Sequence, residues 1–255
     1  QTFDPAVGVY VDDVYYSRVR GTQFDLLDLE RIEVLRGPQG TLYGKNTIGG
    51  ALKLVSRRPG QEFRARGSVA YGSYNLIDVQ GSVSGPVTEN LAFGLAALSS
   101  TRDGYVTDPV SGAEYNDKNT QAVRGSLAWD PASNVRVDFA ADWSRDDAAL
   151  TVGQATSPLT TVLGVPLYTP PNPLPHYNFE TSVTPGLPNS TKLDHWGGSL
   201  RIAWDLSESL TLKSITGYRD LSTTDYIDFD ATRLSITEAL VDVDQNQTSQ
   251  EFQLN

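Results

Sequence analysis

The stretch NVRVDFAADWSR, residues 134–145, decides the fold. Val135, Val137, Phe139, Ala141 and Trp143 share one parity, while Arg136, Asp138, Ala140 and Asp142 share the other. Side chains alternate across a strand, so this period predicts a sheet with one apolar and one polar face. Leu91, Phe93, Leu95 and Ala97 repeat the pattern. Working outward, the same period predicts eight strands, roughly 64–73, 76–86, 90–102, 119–130, 134–145, 194–206, 209–220 and 243–255. At about ten residues each, they are long enough to cross a bilayer at a tilt.

The connections carry as much information as the strands. Residues 86–90, 130–134 and 206–209 make tight turns, and the connections between them, about 103–118, 147–192 and 221–242, are long. Apart from a tight first hairpin at Gly72 to Leu76, short and long alternate, the pattern of a barrel with short turns at one rim and long loops at the other. Trp129, Trp143, Trp196 and Trp204 all fall near strand ends on the apolar parity, two at each level. The eight residues between Trp196 and Trp204 span roughly 20 Å of height at a tilt of about 40°, close to the spacing of aromatic girdles.

Composition bounds the function. The 255 residues carry 20 Lys plus Arg against 31 Asp plus Glu, a net charge of −11. That balance argues against a nucleic-acid binder, which needs cations along the phosphates. Mean hydropathy is −0.31, and no apolar run reaches the length of a membrane helix. A transmembrane β-barrel stays open, because only every second residue of its strands meets lipid. The chain has no Met and starts at Gln1, which predicts a processed product or a fragment. It also has no Cys, which excludes disulfides, zinc-thiolate sites and a Cys nucleophile.

Residues 1–66 differ from the rest. They hold ten Lys or Arg and eight acids, net +2, leaving −13 for the remainder, with a break near Pro59 and Gly60. GVYVDDVYY (8–16), ERIEVLRGP (30–38) and GGALKLVSRRP (49–59) each read as a strand, and Gly40 to Gly44 as at most a helical turn.

Catalytic motifs are missing. GPQGTLYGKNT resembles a phosphate loop, but Gln39 stands where the first Gly belongs and Asn46 where Ser or Thr should follow Lys45. GSVSG at 81–85 has Val83 at the nucleophile position. His176 and His195 are too few for zinc and read as solvated. Asp12 with Asp13, and Asp146 with Asp147, are neighbours that point to opposite faces in a strand, so both pairs read as solvated strand-end charge. The 147–192 connection holds eight of the fourteen Pro, among them Pro170, Pro171, Pro173 and Pro175, beside Tyr168, Tyr177 and Phe179. It is a stiff loop that can shield the surface or stack a ligand.

GVYVDDVYYSR (8–18) and DLLDLERIEVLRGPQGTLYGKNTIGGALKLVSRRP (25–59) resemble the plug domain of TonB-dependent outer-membrane receptors. The resemblance implies a mostly β chain: residues 1–62 as the C-terminal half of a plug, and 63–255 as the N-terminal part of a transmembrane barrel, about eight of roughly 22 strands. The SQEFQL run near the C-terminus fits in style. It further implies active transport, most simply of a ferric siderophore, across the bacterial outer membrane, with no enzyme activity, no resident cofactor and no metal site. The implied partners are TonB with ExbB and ExbD, acting on a plug N-terminus that this chain lacks, and outer-membrane lipid, with the receptor a monomer. A passive adhesin or porin-like barrel is the alternative, which a plug contradicts; an outer-membrane enzyme is the third.

Within the resemblance, Glu33, Arg36, Gly37, Pro38, Gly40, Gly44, Gly49, Gly50, Arg57 and Arg58 belong to the plug motif and its contacts with the wall. The expected ligand-facing positions are Ser17, Arg18, Arg20 and Gln23 on plug apices and Tyr168 and Tyr177 on the external loop. A +2 plug inside a −13 wall predicts a seam held by charge and hydrogen bonds.

Overall fold

The computed structural model describes residues 6–17, 28–44, 46–161, 163–169 and 177–255. The long strands follow the two-residue period. β5 (Arg64–Gly72), β6 (Leu76–Thr88), β7 (Leu91–Arg102), β10 (Lys118–Ala132), β11 (Val135–Ala148), β14 (Thr191–Ser207), β15 (Leu210–Asp228) and β16 (Glu238–Leu254) form one open antiparallel sheet in chain order. All eight expected strands are present, but the later ones run further than expected, to 19 residues in β15. At about 3.3 Å per residue and a tilt near 40°, that strand climbs roughly 48 Å, well beyond a hydrocarbon band of about 25 Å. The extra length lies past Trp196, shrinking the last long connection to residues 229–237.

One face of this sheet is apolar and bare. Val69, Val79, Leu95, Val123, Leu127, Phe139, Leu200 and Phe252 are exposed there. The four tryptophans join them, each at least 37% exposed. Register places Trp143 opposite Trp196 at one level, and Trp129 and Trp204 near the short turns at the other. The opposite parity carries Asp138, Asp142, Arg201 and Arg219 and looks inward.

A second sheet packs on that inner face. Its order is β2 (Val14–Tyr16), β1 (Val7–Val11), β4 (Gly50–Ser56), β3 (Leu29–Arg36), with α1 (Gly40–Tyr43) as a single turn between β3 and β4. Its core is Val9, Val11, Tyr16 and Leu54. GVYVDDVYY is therefore not one strand. Asp12 and Asp13 take φ of 50° and 69° and fold it into a two-residue hairpin. Both turn positions need positive φ, which Asp tolerates better than most residues, and this turn lacks the Asn-Gly signature that would have announced it.

The external connections are knit together. β8 (Val106–Thr107) and β9 (Glu114–Tyr115) form one small hairpin, and β12 (Leu159–Thr160) with β13 (Pro166–Tyr168) another. Val106, Tyr115, Leu150, Val152 and Val183 make a separate small core above the sheet. Asn116 both donates to the Val152 carbonyl (3.1 Å) and accepts from its N–H (2.6 Å), joining two connections. The third joins through Asp228, which accepts from the Thr184 N–H (2.9 Å).

The bare face makes a directional test. With the protein in lipid vesicles, Phe139→Arg, midway between the two Trp levels, is expected to cost about 2–4 kcal/mol in urea unfolding. Glu208→Arg in a short turn should stay within about 0.5 kcal/mol.

Candidate functional site

Three successive inward rows of the large sheet hold the small one. The upper row runs across five strands as Arg124, Asp142, Gly197, Arg219 and Gln247. Arg124 donates to Asp142 (3.1 Å) and to Asp12 of the hairpin turn (2.7 Å). Arg219 donates through Nη1 to both Asp142 oxygens (2.7 and 2.8 Å) and lies over the Tyr16 ring, 4.4 Å from its centroid. Gly197 stands between them in register, and a Cβ there would come within 2.5 Å of the Arg219 side chain. The missing side chain is what lets Arg219 cross β14. Gln247 closes the row by donating to the Tyr15 carbonyl (2.8 Å) and accepting from the Ser17 N–H (3.3 Å). One side-chain amide thus takes the place of a neighbouring strand along the edge of β2.

The lower row contains Asp138 and Arg201. Arg201 donates to Asp138 (2.6 Å) and to Asp13 (3.4 Å), and Asp13 also pairs with Lys53. Arg58, just past β4, donates bidentately to Asp130 (3.0 and 2.7 Å) and through Nε to Asp138. The middle row is small: Ser84, Gly94, Ser126, Ala140, Ser199, Gly217 and Ser249. A Cβ on Gly217 would meet Val14 at 2.6 Å, and one on Gly94 would meet Pro59 at 3.2 Å, so the small sheet and its exit segment approach closest there.

Two expectations are corrected. Asp12 and Asp13 are not solvated strand-end charge: the turn splays them, so that Asp12 reaches Arg124 and the Ser56 N–H (2.7 Å) while Asp13 sits between Lys53 and Arg201. His195 is not solvated either. It is 5% exposed, with Nδ1 3.7 Å from Asp142 and its ring 6.0 Å from that of Tyr16. Burial alone would raise Asp13, yet the Lys53 ammonium and the Arg201 guanidinium outweigh it and hold the carboxyl below its ordinary range. Burial likewise opposes the charge on Lys53, and Asp13 more than restores it.

The expected motif residues separate into kinds. Arg58 reaches the wall, whereas Arg57 pairs with Asp28 of its own segment at 3.5 Å. Arg36 and Pro38 are exposed, and Glu33 accepts from Arg31 (2.7 Å) on β3. Gly50, at φ 147°, passes so close to the Leu35 carbonyl that a Cβ would lie 2.3 Å from its oxygen. Gly37 and Gly44 also have positive φ, Gly40 opens α1, and the Gly49 N–H donates to the Ala6 carbonyl (2.8 Å). Ser17, at the end of the hairpin, accepts at Oγ from Gln245 (3.1 Å). Tyr177 stacks edge-on to Phe179, which meets Tyr105, which meets Tyr74, a ladder across three connections. Tyr168 ends β13 opposite Leu159. Arg18, Arg20, Gln23, Lys45, Pro170, Pro171, Pro173, Pro175 and His176 lie outside the described residues. Among the described residues no cluster of His, Cys, Asp or Glu suits a metal.

A small mixed sheet held by ion pairs inside an outward-apolar β wall is the arrangement of a plugged outer-membrane barrel. Residues 3–51 match the model of the TonB-dependent Receptor Plug Domain. The pesticin receptor of Yersinia enterocolitica is 34% identical over 113 residues, covering 44% of this chain and 17% of the receptor. The ferric enterobactin receptor PirA of Pseudomonas aeruginosa is 33% identical over 136 residues, covering 46% of this chain and 18% of the receptor. In fold, the chain is similar to the ferric yersiniabactin uptake receptor FyuA from Yersinia pestis, with a TM-score of 0.75 at 22% identity over 98% of this chain and 36% of that one. The plug-domain match over residues 3–51 and the shared fold make the chain similar to TonB-dependent receptors. It spans less than a fifth of the length of the two relatives, and within it lie part of a plug and eight wall strands.

Two tests address the seam in the full-length receptor. Gly197→Ala should push Arg219 off Asp142 and speed hydrogen exchange of amides 7–17 at least tenfold, with strand content by circular dichroism unchanged. The second is pH dependence. A depressed Asp13 contributes docking stability that is complete above its unfolded value near 3.8 and is lost as pH falls through the lower folded value. Lys53, raised from 10.5, contributes stability that is lost only as pH climbs through its folded value. Once rates are corrected for intrinsic chemistry, exchange protection of β1 and β2 should be flat between about pH 5 and 9 and collapse first on the acid side. Asp13→Asn should remove the acid-side step.

Proposed function

We propose that the receptor to which this chain belongs imports a ferric siderophore across the outer membrane by TonB-dependent withdrawal of the plug, with residues 1–62 acting as the later half of the plug and 63–255 as the first wall strands. The observation that carries this reading is the chemistry of the seam. Among the described residues, guanidinium–carboxylate pairs and side-chain amides hold the plug to the wall, beside Val14 and Pro59 on the middle row and the Tyr16 ring against Arg219 and His195. Such contacts can be exchanged for water as the plug moves, whereas a dry apolar seam would have to expose its core. The names of the relatives, receptors for ferric enterobactin and ferrioxamine B among them, support an iron-chelate ligand.

TonB, energised by ExbB and ExbD, supplies the pull through a plug segment outside this chain, and one receptor works as a monomer. Ligand meets the receptor on the outside, at the plug apices carrying Ser17, Arg18, Arg20 and Gln23 and at the loop aromatics Tyr168 and Tyr177. The Tyr74–Tyr105–Phe179–Tyr177 ladder gives that side stacking faces.

The test is uptake of radioactive iron by cells whose sole siderophore receptor is the full-length protein, offered a panel of ferric siderophores with and without a functional TonB. Uptake of at least one siderophore that disappears without TonB supports the reading. TonB-independent entry, or no uptake from the panel by a correctly inserted receptor, would overturn it.

A further inference from the structure

The three long external connections are joined to one another pairwise, and the joints close a ring. The first connection, 103–117, meets the second, 149–190, at Asn116, whose side chain bonds both the carbonyl (3.1 Å) and the N–H (2.6 Å) of Val152. The two meet again where the Thr107 N–H donates to the Phe179 carbonyl (3.0 Å) and the Thr181 N–H to the Thr107 carbonyl (3.1 Å). The second meets the third, 229–237, through Thr184. Its N–H donates to Asp228 at the end of β15 (2.9 Å), and its hydroxyl to the Leu234 carbonyl (3.3 Å). The third returns to the first where Arg233 donates to Asp108 (3.4 Å). Asn116, Asp108 and Thr184 are all buried, so each joint has a partner that water does not reach.

No connection carries enough structure to hold its shape by itself. β8 and β9 are two residues each, and even longer isolated hairpins are marginal in water. The small core is built jointly: Val106 and Tyr115 come from the first connection, Leu150, Val152 and Val183 from the second, and Tyr226 of β15 packs against them. Removing one connection exposes that core and leaves buried donors and acceptors of the others without partners, which is costly. Phe179 shows how firmly the assembly is set. It is held at φ 59°, a left-handed conformation that an aromatic residue keeps only when its surroundings dictate it. Segments that share their stability in this way open together.

We propose that the three connections form one cooperative cap with Asn116 as its central joint, and that they open all at once instead of moving as separate loops. The cap also positions the aromatic ladder. Arg102 donates to the Asn116 carbonyl (2.6 Å) and lies over the Tyr105 ring, 4.8 Å from its centroid, and the Tyr105 N–H donates to the Tyr115 carbonyl (3.1 Å). Phe179, the next ring of the ladder, is fixed by Thr107. The stacking faces are therefore set before a ligand arrives. Their use by a ligand rests on the import function proposed above; the cooperativity of the cap does not.

The experiment is native-state hydrogen exchange on the full-length protein in detergent. In the wild type, the amides of Thr107, Val152, Thr181 and Thr184 should show protection that agrees within about threefold once intrinsic rates are removed, as a single opening requires. Asn116→Asp keeps the size of the side chain and its tolerance of φ 60°, but an ionised carboxylate cannot donate to the Val152 carbonyl. It should speed exchange of all four amides about tenfold, Thr184 included, which shares no hydrogen bond with Asn116, and leave Gly125 and Phe139 of the wall unchanged. Asp228→Ala, at the opposite corner of the ring, should speed exchange at Val152 as well as at Thr184. Acceleration confined to Val152 in the first variant and to Thr184 in the second, or none in either, would overturn the cap. Siderophore uptake then separates the two ideas. Asn116→Asp should raise the half-saturating concentration several-fold; a cap that opens as one with half-saturation unmoved would overturn the preset binding surface, whereas a wild type that imports nothing sinks the import reading and leaves the cap standing.

Discussion

The placement of the plug sheet against the wall depends on one two-residue turn. Asp12 and Asp13 both sit at positive φ, which costs on the order of 1 kcal/mol each for a residue that is not glycine. That cost is repaid only because the turn aims two adjacent carboxylates in different directions, one at Arg124 and one at Lys53 and Arg201. A straight strand would send them to opposite faces of the same sheet, and one would miss the wall. The turn also reverses the chain so that Tyr16 slides under Arg219 and the edge of β2 meets Gln247. Backbone conformation, ion pairing and edge capping are therefore one constraint.

The ion pairs satisfy a second condition, that of charge balance in a confined space. In the upper row two guanidiniums, Arg124 and Arg219, share Asp142, and Asp12 supplies the fourth charge from the plug. In the lower row Asp138 serves Arg201 of the wall and Arg58 of the plug. The upper row's positive excess is thus met by Asp12, while the balanced pair of the lower row takes one plug residue of each sign, Arg58 on Asp138 and Asp13 on Arg201. Buried pairs of this sort are weak sources of net stability but expensive to break on one side only, since the remaining charge stays enclosed. That asymmetry favours a seam that opens with water entering along it rather than one contact at a time.

Much of this was legible in the sequence, for reasons that can be named. β10, β11 and β14 carry an uninterrupted two-residue period because lipid and plug demand opposite chemistry on their two faces, and Trp143 opposite Trp196 follows from the same count. The hairpin at Asp12 was illegible because Asp-Asp is an uncommon way to satisfy two positive φ values and reads like polar residues in a strand. His195 was misjudged because burial of a strand residue depends on what lies across it, here Tyr16 from a segment 179 residues earlier. The small core of the external connections had no period to betray it: Val106, Leu150 and Val183 come from separate irregular stretches.

The same strands answer to two solvents, and that separation has a consequence for how the molecule can change. On β11 the acidic residues of the latch are even-numbered and the residues of the bare band odd-numbered: Asp138, which meets Arg58, and Asp142, which holds Arg124 and Arg219, against Phe139 and Trp143. A substitution at Asp142 alters the latch without altering what the membrane meets, and one at Phe139 does the reverse. The long outer ends of β14 and β15 add a third, independent region, where Asp225 and Asp228 lie above the Trp196 level and Asp228 serves the external connections. The contacts of the external connections, the latch and the bare band are thus written on different residues of one sheet, and each can vary while the other two are held.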